Sequence, residues 1–123
     1  MTISPCETLA AKFAALRIER ERLYKLGKVS QANAKFDQSR KVAAELMALR
    51  QDRHAALFAL LDHDSEEVVL GAASYLLAVD ESMAMKVLQR LDSNAKEPEH
   101  GLSAHMCIQE WMAGRMMDIR DLK

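Results

Sequence analysis

The sequence predicts an all-helical protein: an N-terminal αα-hairpin followed by two stacked helix pairs, about six helices forming a short α-solenoid. Three observations lead there. Half of the 123 residues are apolar, yet the apolar mass is Leu, Ala and Met rather than β-branched or aromatic side chains, and those three favour helix. Only four Gly and two Pro interrupt the chain, too few for a many-turned β architecture. Apolar residues recur at helical spacing throughout, with no sustained alternation.

The elements follow in order. Ser4-Pro5-Cys6-Glu7 opens the first helix: Ser4 suits an N-cap, Pro5 the first helical position, and Glu7 completes a capping box. Leu9, Phe13, Leu16, Arg20 and Leu23 then mark one face, Lys12, Arg17, Glu21 and Lys25 the opposite one, and Gly27 is a left-handed stop. A second helix is expected from about Ser30 to Arg50, with Ala32, Phe36, Ala43 and Met47 as its core stripe and Leu46 and Leu49 widening it. The link at 27–29 is so short that the two helices return antiparallel. From Asp52 the texture changes. A helix of about ten residues is expected over His54–Leu61, then a polar break at Asp62-His63-Asp64-Ser65. The fourth helix carries Val68, Ala72, Tyr75, Leu76 and Val79, the fifth spans Ser82–Leu91, and the sixth runs from about Pro98 to Gly114 with Leu102, Ala104, Ile108 and Trp111. Residues 116–123 form a tail that frays or folds Met116, Met117 and Ile119 back.

An internal repeat underlies this order. Leu57-Phe58 and Leu61-Asp62 recur as Val87-Leu88 and Leu91-Asp92, and Ala73 and Leu77 recur as Ala104 and Ile108. A helix–turn–helix unit of this kind buries its apolar stripe by stacking on its neighbour. The expected organisation is one domain over residues 1–123, with a basic hairpin at 5–50 capping two units at 52–115.

The run Leu60-Leu61-Asp62-His63-Asp64-Ser65-Glu66-Glu67-Val68, followed by Ala72-Ala73-x-x-Leu76-Leu77, is similar to the HEAT-repeat pattern. With Ala32-Asn33 before Phe36-Asp37, and Ala104 leading to Glu110-Trp111-x-x-Gly114, the chain resembles a small bacterial family catalogued as domain of unknown function number two-thousand-nineteen, over about residues 25–115. The resemblance implies a helical, solenoid-like domain and brings no assigned activity. Small HEAT-like bacterial proteins often bind other proteins, some as immunity partners of toxins. One departure stands out: HEAT-type units usually place Arg after the Val that opens the second helix, whereas here the run is Val68-Val69-Leu70. Asp62 or Asp64 would then lack the partner that such an Arg supplies, and Val69 would be a surface contact.

Chemistry-bearing patterns are sparse, and the expectation is a non-enzymatic protein with no catalytic residue, metal or cofactor. His54, His63, His100 and His105 form no metal-ligand spacing, and the Asp62-His63-Asp64 turn lacks the Gly and carboxylate density of a calcium loop. No serine sits in a nucleophile elbow and no Gly-rich loop could cradle phosphate. Cys6 and Cys107 are expected to be reduced, with Cys6 in a first helical turn whose dipole lowers thiol pKa values. No export signal or membrane span is recognisable, so the expected location is cytoplasmic.

Charge is the remaining signal. Residues 1–50 hold ten Lys/Arg against five Asp/Glu, and residues 51–123 seven against thirteen. The first reading is a protein-binding domain, an adaptor or immunity protein, that engages a basic partner protein through Asp62, Asp64, Glu66, Glu67, Asp80 and Glu81. The alternatives are a nucleic-acid-associated module using Arg17, Arg20, Lys28 and Lys35, and a homo-oligomer that buries the Met-rich C-terminal end around Trp111.

Overall fold

A computed structural model describes residues 4–50 and 52–122. It is all-helical, with no strand among the described residues. The helices are α1 (Pro5–Lys25), α2 (Val29–Ala48), α3 (Ala55–Ala59), α4 (Glu66–Leu76), α5 (Glu81–Asn94), α6 (Pro98–Met112) and α7 (Met117–Arg120), with a 3-10 turn at Leu60–Asp62. The chain divides into two compact units, Met1–Leu60 and Leu61–Lys123.

In the first unit α1 packs along α2, and α3 packs on α1. Ser4 caps α1 by accepting the Glu7 N–H at 3.1 Å, and Gly27, at φ +79°, supplies the left-handed residue that ends it. The buried face of α1 is Cys6, Ala10, Phe13, Ala14, Arg17 and Leu23. Leu9 and Leu16, read from the sequence as core, are only half-buried, and Arg17, placed on the charged face, is buried. Ala10 and Ala14 of α1 and Ala32 and Ala43 of α2 are among the buried residues, and short side chains let two packed helices approach closely. In α2 Ala32, Ala43, Leu46 and Met47 are buried as expected, Phe36 and Leu49 are only half-buried, and Val42 and Ser39 join the buried set, the Ser39 hydroxyl donating to the Phe36 carbonyl at 2.7 Å.

α3 is five residues long and runs directly into the 3-10 turn at Leu60–Asp62, so the helical stretch from Ala55 to Asp62 nearly covers the expected His54–Leu61, with its last turn tightened. Arg53 and His54 both adopt left-handed backbone (φ 54° and 64°) just before it, a conformation disfavoured for residues with a Cβ. The Asp52 carboxylate holds that entry, accepting the His54 N–H at 3.0 Å and the Ala56 N–H at 2.9 Å. The sequence reading paired this helix with α4; the compact grouping places it with α1 and α2 instead.

In the second unit α5 and α6 pack together and both contact α4. Ser65 caps α4, accepting the Val68 N–H at 3.3 Å. α4 is buried on nearly every side, from Glu67 through Ala73 and at Tyr75 and Leu76, the signature of a central helix rather than of one with a single stripe. Val69 is buried, not a surface contact, whereas Val79, beyond the helix, is exposed. Asp80 caps α5 by accepting the Met83 N–H at 3.1 Å, and Ala84, Val87, Leu88 and Leu91 form its inner face. Gly101 of α6 faces the end of α5, where an added Cβ would lie 3.4 Å from the Leu91 and Asp92 carbonyl oxygens. Gly114, at φ +79°, ends the last long helix as expected. The tail then folds back as α7, burying Ile119. Arg120 lays its guanidinium 3.7 Å from the Trp111 ring centre and donates to the Trp111 and Arg115 carbonyls.

Candidate functional site

The densest group of titratable side chains in the second unit gathers where α4 and α6 begin. Glu66 and Glu67 occupy the first turn of α4, where negative charge suits the helix dipole. Glu97 is the N-cap of α6 and makes no side-chain cap bond; His100 lies in the first turn. The uncapped amides of that helix start find their acceptor in Glu66, whose carboxylate takes the Lys96 N–H at 2.8 Å and the Glu97 N–H at 3.2 Å. Its Oε1 also lies 2.9 Å from His100 Nδ1, so this nitrogen carries the donated proton when Glu66 is ionised. On the other side of the ring, Nε2 is 3.7 Å from Glu67 and 3.9 Å from Glu97. Burial works to raise the Glu66 pKa, but the His100 ring and the two amides outweigh it and hold the carboxyl below its ordinary range.

Both His100 and Glu67 are buried. A histidine between carboxylates is the raw material of general-base pairs and cation sites. Here Glu66 also spends its oxygens on the backbone of a second helix. The arrangement is therefore a cross-helix cap: one carboxylate supplies α6 with the acceptor that its own N-cap does not.

This placement alters the acidic surface expected from the sequence. Glu66 and Glu67 leave it, turned toward His100 and the start of α6. Asp80 is exposed but serves as the α5 cap. Asp62, Asp64 and Glu81 are exposed, with no hydrogen bond or ion pair among the described residues. Nor do the remaining acids form one patch. Asp62 and Asp64 precede α4 while Asp80 and Glu81 follow it, and an 11-residue helix separates them, about 16 Å at 1.5 Å per residue.

The basic set is reduced in the same way. Arg17 is buried, its guanidinium 5.9 Å from the Phe13 ring centre and 5.3 Å from that of Phe36. Arg20 lies over Tyr24 and Phe36 at 5.6 and 5.5 Å, leaving Lys28 exposed and Lys35 half-buried. Around them Arg22 pairs with Glu19 at 2.5 Å and Lys25 with Glu21 at 3.4 Å. The spacing of aromatic residues one turn from arginines was the signal for these stacks; charge counting passed over it.

Neither Cys6 nor Cys107 is in a disulfide. Burial pushes the Cys6 thiol up, and the neighbouring Asp52 carboxylate adds to the rise. The lowering expected from a helix start is thus reversed, because a buried thiol facing an anion resists ionisation. Trp111, Met106 and Met112 separate in the structure: the indole is buried and both methionines are exposed. No helix among the described residues is long and apolar enough to cross a membrane.

No curated protein and no solved structure matches the chain. A family model does match, over residues 7–111, under the description "Domain of unknown function (DUF2019)". That span runs from the first turn of α1 to the last of α6 and leaves out only the short α7 among the helices, and the chain belongs to this family.

Proposed function

We propose that this chain is a non-enzymatic protein-interaction domain of adaptor or immunity type, a short HEAT-like solenoid whose acidic second unit receives a basic protein. The repeat reading draws support from Glu66, whose bonds join the starts of α4 and α6 across 30, 31 and 34 residues. The first two of these intervals agree with the 30- and 31-residue spacing of the internal sequence repeat. The α1–α2 pair is the N-terminal hairpin of this scheme.

The observation that carries the functional reading is the charge left on the surface. Residues 61–123 hold twelve Asp/Glu against six Lys/Arg, a balance of −6. Glu66, Glu67 and His100 are committed to the helix starts, while Asp62, Asp64 and Glu81 remain exposed. Negative potential of this kind speeds encounter with a basic partner and rejects an acidic one. Affinity purification from the native cell, with the wild-type chain and an Asp62→Lys/Asp64→Lys/Glu81→Lys variant, tests it. A specific basic protein should be retained by the wild type, released by salt and depleted in the variant. Equal retention by both would remove the acidic turns from the interaction, and no specific retention would remove the reading itself.

A further inference from the structure

The last long helix ends without a cation of its own. α6 carries no basic side chain in its last turn, although the unpaired carbonyls at a helix end favour positive charge. That charge arrives from α7. Arg120 donates from Nε to the Arg115 carbonyl at 2.7 Å and from a terminal nitrogen to the Trp111 carbonyl. The same guanidinium lies 3.7 Å from the centre of the Trp111 ring and makes no ion pair among the described residues. A flat, forked donor that stacks and bonds at once is what arginine supplies and lysine does not. One residue earlier, Ile119 is buried. The seat at this end of α6 therefore has three parts: two carbonyl acceptors, an indole face and a place for an aliphatic side chain.

The segment that fills the seat has little else to hold it. α7 is four residues long, too short to be a stable helix alone. Met117, Asp118 and Asp121 are exposed, which leaves Ile119 and Arg120 as the anchors. The connection from α6 passes through two left-handed residues, Gly114 at φ +79° and Met116 at φ +65°, and the second conformation is disfavoured for a residue with a Cβ. Release of the segment relieves Met116 and opens all three parts of the seat together.

We infer that the Trp111 end of α6 is a docking seat for a partner segment in which an aliphatic residue is followed by arginine, and that residues 116–122 occupy it in cis and control access. The chemistry of the occupant is read from the segment seated there, Ile119 and then Arg120 over the ring and the carbonyls. Tethered beside the seat, the chain's own segment competes at high effective concentration, so the partner's apparent affinity is set by the fraction of time the strap is open. The inference rests on the protein-binding reading above and adds a second surface with its own recognition chemistry.

The test uses the full chain carrying Ile119→Ser/Arg120→Glu, which empties the seat, and two peptides: one with the sequence of residues 116–122, the other the same peptide with Arg120→Glu. Trp111, the only tryptophan, reports both steps. Its emission should shift to the red in the variant and return toward the blue, saturably, as the first peptide is added. The affinity of that peptide should exceed that of its Arg120→Glu form by about tenfold or more. The wild type, with its seat filled, should bind the peptide about tenfold or more weakly than the variant does. No red shift in the variant, no saturable return, equal return with both peptides, or equal binding by wild type and variant overturns the inference. Circular dichroism checks that the variant keeps its helices. If it does not, urea titration of the wild type decides: Trp111 emission that shifts before the helices are lost supports a strap that opens in the folded chain, and coincident transitions overturn it. If the peptide fails to bind while Asp62→Lys/Asp64→Lys/Glu81→Lys still depletes a basic protein in purification, the seat falls and the broader protein-binding reading stands.

Discussion

Glu66 does the work of three ordinary residues at once: it takes two amides and one imidazole of a neighbouring helix start. Removing its carboxylate leaves those donors without an acceptor, at about 1–3 kcal/mol. Glu66→Ala should therefore lower the urea midpoint more than Ser65→Ala, which loses one cap bond worth about 1 kcal/mol. The acid limb of stability provides a second measurement. The Glu66 carboxyl is held below its ordinary value in the folded chain, so its contribution is complete above the unfolded pKa of about 4.3 and is lost as pH falls through the lower folded value. Asp52 acts with the same sign: burial alone would raise it, and the Ala56 amide, the Cys6 thiol and the His54 amide together bring it down. Stability of the wild type should fall more steeply between neutral and acid pH than that of Glu66→Gln; parallel curves would mean that Glu66 is not held low. At the other end of the chain, Trp111 is the only tryptophan, so its emission reports the Arg120 stack directly. Arg120→Ala should shift that emission to the red and cost about 1 kcal/mol.

Among the elements, α1 and α4 depart furthest from a simple amphipathic reading. In the packed pair of α1 and α2, Ala10, Ala14, Ala32 and Ala43 are buried along with Phe13 and Leu23, while Leu9 and Leu16 are only half-buried. A bulkier side chain at Ala43, which has no accessible surface, would force the helices apart. Ala43→Leu is expected to cost about 1–3 kcal/mol in chemical denaturation despite its added apolar surface; a stabilised variant would show that the site has room. α4 poses the opposite problem, apolar on nearly every side because it is enclosed on nearly every side. No period is visible in a helix of that kind, which is why a stripe was read where a buried cylinder stands.

The whole molecule consists of two compact units of opposite charge. Residues 1–60 carry eleven Lys/Arg against six Asp/Glu, and residues 61–123 six against twelve. Charge segregated this strongly makes association salt-dependent. Hydrogen exchange should resolve the second unit by enclosure, with α4 slowest and the four-residue α7 fastest. Uniform exchange across the unit would contradict a central α4.

The sequence by itself determined the helical class, the helix stops at Gly27 and Gly114, the cap at Ser4, and the family. Each is local, set by backbone preference and by side chains within a turn of the groups they satisfy. Only the tertiary structure decided which charges remain on the surface. Glu66, Glu67 and Arg17 read as solvent-facing because charged residues usually are. Glu66 is instead turned onto partners at least 30 residues away, and Glu67 and Arg17 are buried. The left-handed entry to α3 at Arg53 and His54 was likewise out of reach, because it depends on how Asp52 is held. Long-range hydrogen bonds leave no period in a sequence, so an acidic surface inferred from composition had to be redrawn residue by residue.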